Sequence, residues 1–129
     1  MGNEKSTYTI QPQIQVNVTS QDIDDIMVCA LEGGINYWCR KVKVNGKYLG
    51  EYASDQISRG GMLTLYDAES SDKWELTLDK FLNGMKLAIE QGFGAWVKPA
   101  DGSIDVGNID ADAADAIVQL ALFGEVVFG

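Results

Sequence analysis

Apolar and polar residues alternate along the first part of the chain. From Tyr8 to Thr19 the even positions are apolar, and the odd positions carry uncharged polar side chains. Alternation with a period of two predicts a half-buried strand over these twelve residues. Because proline has no N–H to donate, Pro12 places this strand at a sheet edge or interrupts it. The row of Gln and Asn side chains is consistent with a solvated sheet face or with a protein–protein seam.

Helix signals follow in three segments, each opened by a capping residue and closed by glycine: 19–34, 77–92 and 110–124. The predicted caps are Thr19, Thr77 and Asp110, whose side-chain oxygens can accept from free N–H groups of the first turn. In the first two segments apolar residues recur with helical spacing, which predicts one core-facing stripe each. The third is apolar around most of its circumference from 113 to 123, so we expect either the domain or a partner to enclose it.

Strand and turn signals occupy the remaining segments. Residues 35–49 predict two strands joined at Asn45-Gly46, because an Asn-Gly pair favours the type I′ turn of a hairpin. A second hairpin is predicted from 62–66 and 73–78, and a short strand from 93–97. The order of elements predicts one α+β domain for the whole chain, an antiparallel sheet of four to six strands with about three helices packed on it.

The amino-acid composition reduces the number of ligands and reactions that need to be considered. Nineteen acidic against ten basic residues give a net charge of −9, which argues against binding to duplex nucleic acid. The chain has no histidine, no nucleophile motif and no phosphate-binding loop motif, so we expect no catalytic residue and no enzyme activity. The acidic residues from Asp101 to Asp115 do not form an EF-hand, because the segment from Asp110 to Asp115 lacks the glycine and the closing glutamate of that loop. We therefore expect no metal and no cofactor.

Location is predicted from what the sequence lacks. The first residues do not resemble a signal peptide, and no apolar run is long enough to span a membrane. We expect the thiols of Cys29 and Cys39 to stay reduced, as in a cytosol. The predicted location is the cytoplasm, away from any membrane.

Two short segments are candidate parts of a nucleotide pocket, Asn36-Tyr37-Trp38 and Ser58-Arg59-Gly60-Gly61. Aromatic rings stack on bases, arginine pairs with phosphate, and consecutive glycines let backbone amides approach an anion. Alternatively, Tyr37 and Trp38 are core residues, and Gly60-Gly61 only begins a strand. Nearby, Arg40, Lys41, Lys43 and Lys47 form a basic ridge, or simply a solvated strand face.

Four stretches carry a resemblance: 22–27 (DIDDIM), 30–39 (ALEGGINYWC), 52–61 (YASDQISRGG) and 121–125 (ALFGE). In these the chain is similar to a family of small accessory proteins in phages and prophages of Gram-positive bacteria. Within that setting it resembles the sponge proteins that sequester the cyclic ADP-ribose signal of the Thoeris defence system. The resemblance implies a non-catalytic oligomer, in the infected bacterial host, that holds a nucleotide between subunits through aromatic and arginine contacts.

The leading hypothesis is a phage anti-defence protein that sequesters a nucleotide second messenger. The adenine would stack on Phe81, Trp38 or Tyr37. Arg59 and the amides of Gly60 and Gly61 would hold the pyrophosphate. Further ligand contacts would come from Asn36, Gln91 and Asn108. We also expect at least a homodimer, with the third helix and the C-terminal residues 126–128 in the interface. One alternative is an acidic inhibitor of a host defence nuclease, like an anti-CRISPR, since residues 101–129 hold six acidic and no basic residues. Another is a structural or regulatory phage protein without a ligand.

Overall fold

Three helices and three strands form the regular structure of the described residues, which are 5–93, 96–98 and 100–129 of the computed structural model. In chain order they are α1 (Ser20–Cys29), β1 (Cys39–Val44), β2 (Leu63–Asp67), β3 (Lys73–Leu76), α2 (Leu78–Glu90) and α3 (Ala111–Phe123). The predicted α+β class and the three helices are confirmed. Within the described ranges, no helix has both the length and the apolar character needed to cross a membrane.

Each helix begins at the predicted capping residue. Thr19 Oγ1 accepts from the amide of Asp22 at 3.0 Å, and the Asp22 carboxylate accepts from the amide of Thr19 at 3.0 Å, forming a capping box. Thr77 and Asp110 accept from the third amide of α2 and α3 in the same way. At the other end of α3, Gly124 has a φ of 73°, a left-handed conformation that glycine adopts without strain.

The sheet has three antiparallel strands in the order β1-β2-β3. The hairpin of β2 and β3 is confirmed, but the predicted hairpin around Asn45-Gly46 is wrong, because β1 pairs with β2 instead. The chain does turn at Gly46, whose φ is 72°. The next residues cannot return along β1, since the buried Gln56 side chain accepts from Leu49 N at 3.0 Å and donates to the carbonyl of Lys47 at 3.2 Å.

The predicted N-terminal strand is also wrong. Among the described residues, only Asn17 of this segment pairs, in an isolated bridge to Ser103. Residues 5–15 are all exposed. The predicted short strand at 93–97 includes residues 94 and 95, which lie outside the described residues, and Val97 forms only an isolated bridge to Ile104. The sheet consequently has fewer strands than the four to six expected.

Helix α3 is enclosed by other elements of the same chain. All residues from Ala114 to Ala121 are buried, against α2 on one side and the turn at 30–34 on another. Gly84 permits the close approach of α2, because a Cβ there would lie 2.5 Å from the carbonyl oxygen of Ile117. The apolar circumference of this helix is therefore covered within the chain, and the argument that a partner must cover it does not hold.

Candidate functional site

Basic side chains are concentrated on the outer face of the sheet, opposite the face that packs on the core. Residues that alternate with the buried positions Leu63, Leu65 and Leu76 are aligned by the antiparallel register into two rows across the three strands. One row is Lys41, Tyr66 and Lys73, and the other is Lys43, Thr64 and Glu75. We call these six residues, with Arg40, the basic sheet face. It holds four of the ten basic residues and one of the nineteen acidic residues of the chain.

The Tyr66 ring lies among these charges. The guanidinium carbon of Arg40 is 5.3 Å from the ring centroid, and the ammonium nitrogen of Lys41 is 5.6 Å from it. Both distances are within the range of a cation–π contact. Arg40 is further positioned by a hydrogen bond of 3.0 Å from its Nε to the carbonyl of Asp67. An aromatic ring next to several cations is the combination that proteins use to hold a base and its phosphate together.

Beside Tyr66 runs a shallow groove of about 510 Å³, bounded by the ammonium groups of Lys43 and Lys73. The turn at Asn45 closes one end, where the Thr64 hydroxyl donates to Asn45 Oδ1 at 2.6 Å. Glu75 is the acidic residue in its lining. The groove thus offers two positive charges, hydrogen-bonding groups and a ring, which suits an anionic ligand with polar edges.

The predicted pyrophosphate residues, 58–61, lie in the turn that precedes β2. The amide of Gly60 donates to the carbonyl of Ile57 at 3.0 Å, and the amide of Gly61 donates to the carbonyl of Gln56 at 2.9 Å. Both N–H groups are therefore engaged within the chain and cannot hold a phosphate. The Arg59 side chain is exposed and lies over Gly50, where a Cβ would come within 2.8 Å of the arginine Nε.

Two of the predicted stacking residues belong to the core. Phe81 has no exposed surface, and Trp38 is 2% exposed, so neither ring can receive a base. The Trp38 ring instead stacks on Phe128 with centroids 5.0 Å apart and planes at 4°. Trp74 and Phe123 complete this aromatic cluster, with edge-on contacts to both of these rings. The alternative that Trp38 is a core residue is correct.

Tyr37 is half-exposed and belongs to a polar network at the end of α3. Its hydroxyl donates to Asp115 at 2.6 Å, while Trp38 Nε1 and Gln119 Nε2 donate to the other carboxylate oxygen at 2.7 Å and 2.9 Å. Burial and the adjacent Asp115 carboxylate raise the pKa of Tyr37 to about 12. The Gln119 amide oxygen also accepts from the amides of Val127 and Phe128, which holds the C-terminal segment against α3. These groups satisfy one another, so the network is structural.

The remaining predicted residues are exposed but lie on separate elements. Asn36 is in the turn before β1, Gln91 caps the C-terminal end of α2, and Asn108 bonds to Asp105 in a short helical turn. Tyr37 lines a cleft of about 670 Å³ together with acidic residues of α3, and Asn36, Gln91 and Asn108 do not contribute to this cleft. The predicted set is therefore not assembled into one pocket.

The basic sheet face was only partly visible in the sequence. Arg40, Lys41 and Lys43 belong to the ridge that the sequence identifies, whereas the sequence predicts only a hairpin for Tyr66 and Lys73. The signal that unites them is the alternation of charged with apolar residues on β1 and β3. Using it requires knowing that β2 lies between those strands.

Comparison with known proteins gives no relative to guide the assignment: no family model, no curated protein and no solved structure matches the chain.

Proposed function

We propose that this protein binds a nucleotide signal on the basic sheet face and sequesters it without converting it. The observation that carries the proposal is the placement of Arg40, Lys41, Lys43 and Lys73 around Tyr66 in a chain of net charge −9. Scattered basic residues would be expected on a surface that serves only for solubility. Four on one side of one small sheet, around an aromatic ring, favour an anionic aromatic ligand.

Each part of the ligand has a matching group. The base stacks on the Tyr66 ring, and the phosphates lie in the groove between Lys43 and Lys73. Arg40 adds a planar donor that can pair with two phosphate oxygens at once. The acidic residues elsewhere oppose an anion at long range, but ionic screening limits their influence to about 8 Å in physiological salt.

Affinity is tested by titration calorimetry with cyclic ADP-ribose isomers, cyclic dinucleotides and cyclic trinucleotides. With the ligand that binds, we expect the double variant Lys43→Ala, Lys73→Ala and the single variant Tyr66→Ala each to lose at least tenfold in affinity, because a phosphate contact or a stacked base is lost. The matched control, Lys86→Ala with Lys98→Ala, removes the same charge from exposed positions elsewhere. Equal losses in test and control variants, or no heat with any nucleotide, would overturn the proposal.

Sequestration is tested separately from binding. The nucleotide is incubated with the protein, the free fraction is measured after ultrafiltration, and the complex is then heated. We expect the free concentration to fall by the amount of protein added and the nucleotide to return intact on denaturation. A changed mass of the released compound would show conversion and would contradict a binding role. The setting in phage anti-defence comes from the resemblance described above, and infection of a Thoeris-bearing host with and without the protein tests it.

A second candidate function is supported by the charge of the last part of the chain. Residues 101–129 carry six acidic and no basic residues, and Asp101, Asp110 and Asp112 are exposed. Such a surface can occupy the basic nucleic-acid channel of a defence nuclease by presenting carboxylates in place of phosphates. Its test is capture of a purified Cas effector that weakens with salt and with Asp112→Asn but not with added nucleotide. Capture that nucleotide abolishes and Asp112→Asn leaves unchanged would contradict it.

A further inference from the structure

The N-terminal arm, residues 5–16, has the sequence of a strand but no strand to pair with. Tyr8 is 87% exposed, Ile10 81% and Ile14 64%, although all three occupy the apolar side of the alternating pattern. Within the described residues, no main-chain group of the arm forms a hydrogen bond, and the chain is first anchored by the amide of Asn17 on the carbonyl of Gly102. Large apolar side chains with this exposure are typical of an interaction surface.

A groove that suits these side chains lies on the same molecule. It runs between the end of the arm and α2, has a volume of about 670 Å³, and is lined mainly by apolar residues. The apolar lining is Pro12, Ile14, Val16 and Val18 from the arm and the residues after it, and Leu82, Met85 and Ile89 from α2. Leu82 is itself 39% exposed, although it belongs to the apolar stripe of α2. Tyr8 and Ile10 extend the same arm, away from the part that lines this groove.

The arm and the groove are complementary to each other, because one presents large exposed apolar side chains and the other an open apolar lining. A second copy of the chain brings both an exposed apolar arm and an open apolar groove, so two copies can cover both pairs of surfaces at once.

We infer that two copies of this chain form a two-fold dimer by exchanging N-terminal arms. In that dimer, Tyr8 and Ile10 of each copy enter the groove between the arm and α2 of the other. No charged residue occurs from Ser6 to Gln21, so the side chains of Tyr8 and Ile10 enter the groove without bringing a neighbouring charge with them. The inference does not depend on the nucleotide proposal, because neither the arm nor α2 belongs to the basic sheet face.

The first experiment measures mass by light scattering and sedimentation over a range from about 1 to 300 µM. We expect a dimer for the natural sequence and a dissociation constant at least a hundredfold higher for Tyr8→Ser with Ile10→Ser, since two large apolar side chains lose their burial. The matched control is Gln11→Ser with Gln13→Ser, which changes the polar face of the same arm and is expected to leave the dimer intact. A 14.1 kDa species at all concentrations would overturn the inference.

Cross-linking identifies the contact. An Ile10→Cys protein is mixed with a Leu82→Cys protein and oxidised gently, and the linked peptides are identified by mass spectrometry. We expect a disulfide between positions 10 and 82 of different copies, and none when Glu69→Cys replaces Leu82→Cys, since Glu69 lies in the exposed turn between β2 and β3. A dimer that forms without the 10–82 link, and that resists Tyr8→Ser with Ile10→Ser, would show that another surface is used.

Discussion

Replacing Asp115 by alanine tests whether the polar network under the C-terminal segment stabilises the fold. Asp115 is 8% exposed, and its carboxylate accepts hydrogen bonds from Tyr37, Trp38 and Gln119 at 2.6 to 2.9 Å. The variant removes an acceptor and leaves its donors in place. Tyr37 can turn to water because it is half-exposed, and Gln119 Nε2 keeps the carbonyl of Phe128 as an acceptor at 3.1 Å. The buried indole N–H of Trp38 loses the acceptor that it has in the native protein.

The size of the effect follows from the hydrogen bonds lost by Tyr37 and Gln119 and from the Trp38 N–H that is left without its acceptor. A hydrogen bond to a charged group contributes about 1.5 to 3 kcal/mol, and a buried donor left without a partner costs about 1 to 3 kcal/mol. Allowing for water that enters the space of the missing carboxylate, we expect Asp115→Ala to lower the free energy of unfolding by about 3 to 5 kcal/mol. A chain of 129 residues has a total of roughly 6 to 19 kcal/mol. The loss is therefore large but leaves a folded protein at the upper part of that range.

Urea unfolding measures the loss, followed by circular dichroism and by tryptophan fluorescence, because Trp38 and Trp74 lie in the aromatic cluster beside the network. Asp112→Ala is the matched control, since Asp112 is exposed in the first turn of α3, and it should cost less than about 1 kcal/mol. Combining Asp115→Ala with Trp38→Phe should reveal a coupling of about 1 to 2 kcal/mol. A loss below about 1 kcal/mol for Asp115→Ala, or strict additivity with Trp38→Phe, would refute the argument.

Three further predictions concern packing and pH. Gly84→Ala should lower the free energy of unfolding by about 1 to 3 kcal/mol, because its Cβ would press on the backbone of α3. The control is Gly33→Ala, which has nothing within 4 Å of the new carbon and should be neutral or stabilising by up to about 1 kcal/mol. Thermal and urea unfolding compare the two variants. Phe128→Ala should cost about 2 to 3 kcal/mol through loss of its stacked ring, and a value below about 0.5 kcal/mol would show that the C-terminal segment is not packed in solution. The pKa of Tyr37 is raised from 10.0 to about 12, so folding favours its protonated form. The stability that Tyr37 contributes is complete below pH 10 and should be lost as pH rises to 12. Tyr37→Phe should remove this part of the alkaline decline, as measured by urea unfolding at each pH.

Local sequence determined the helices and the β2–β3 hairpin. The caps of α1, α2 and α3 act within three residues of themselves, so the pattern around Thr19, Thr77 and Asp110 is sufficient to locate each start. The glycine that ends α3 acts within one turn. The β2–β3 hairpin likewise joins strands that are neighbours in the chain. Such signals can be read without knowing what the segment packs against.

Contacts between distant segments decided the partner of β1 and the conformation of the N-terminal arm. The Asn45-Gly46 turn is present, but Gln56 binds the backbone that would have formed the second strand, and β2 takes its place. The alternation from Tyr8 to Thr19 specifies a strand only if an edge is available, and the isolated chain supplies none to that arm among the described residues.

Contacts between distant segments also decided which residues form the candidate site. Trp38 and Tyr37 adjoin in sequence, yet one is stacked in the core and the other is half-exposed, because Phe128 and Asp115 from the last part of the chain meet them there. Lys41 and Lys73 flank Tyr66 only because β2 pairs with both of its neighbours. The sequence shows which aromatic and charged side chains the protein has. Which of them share a surface depends on pairings between residues far apart in the chain, where local propensity has no influence.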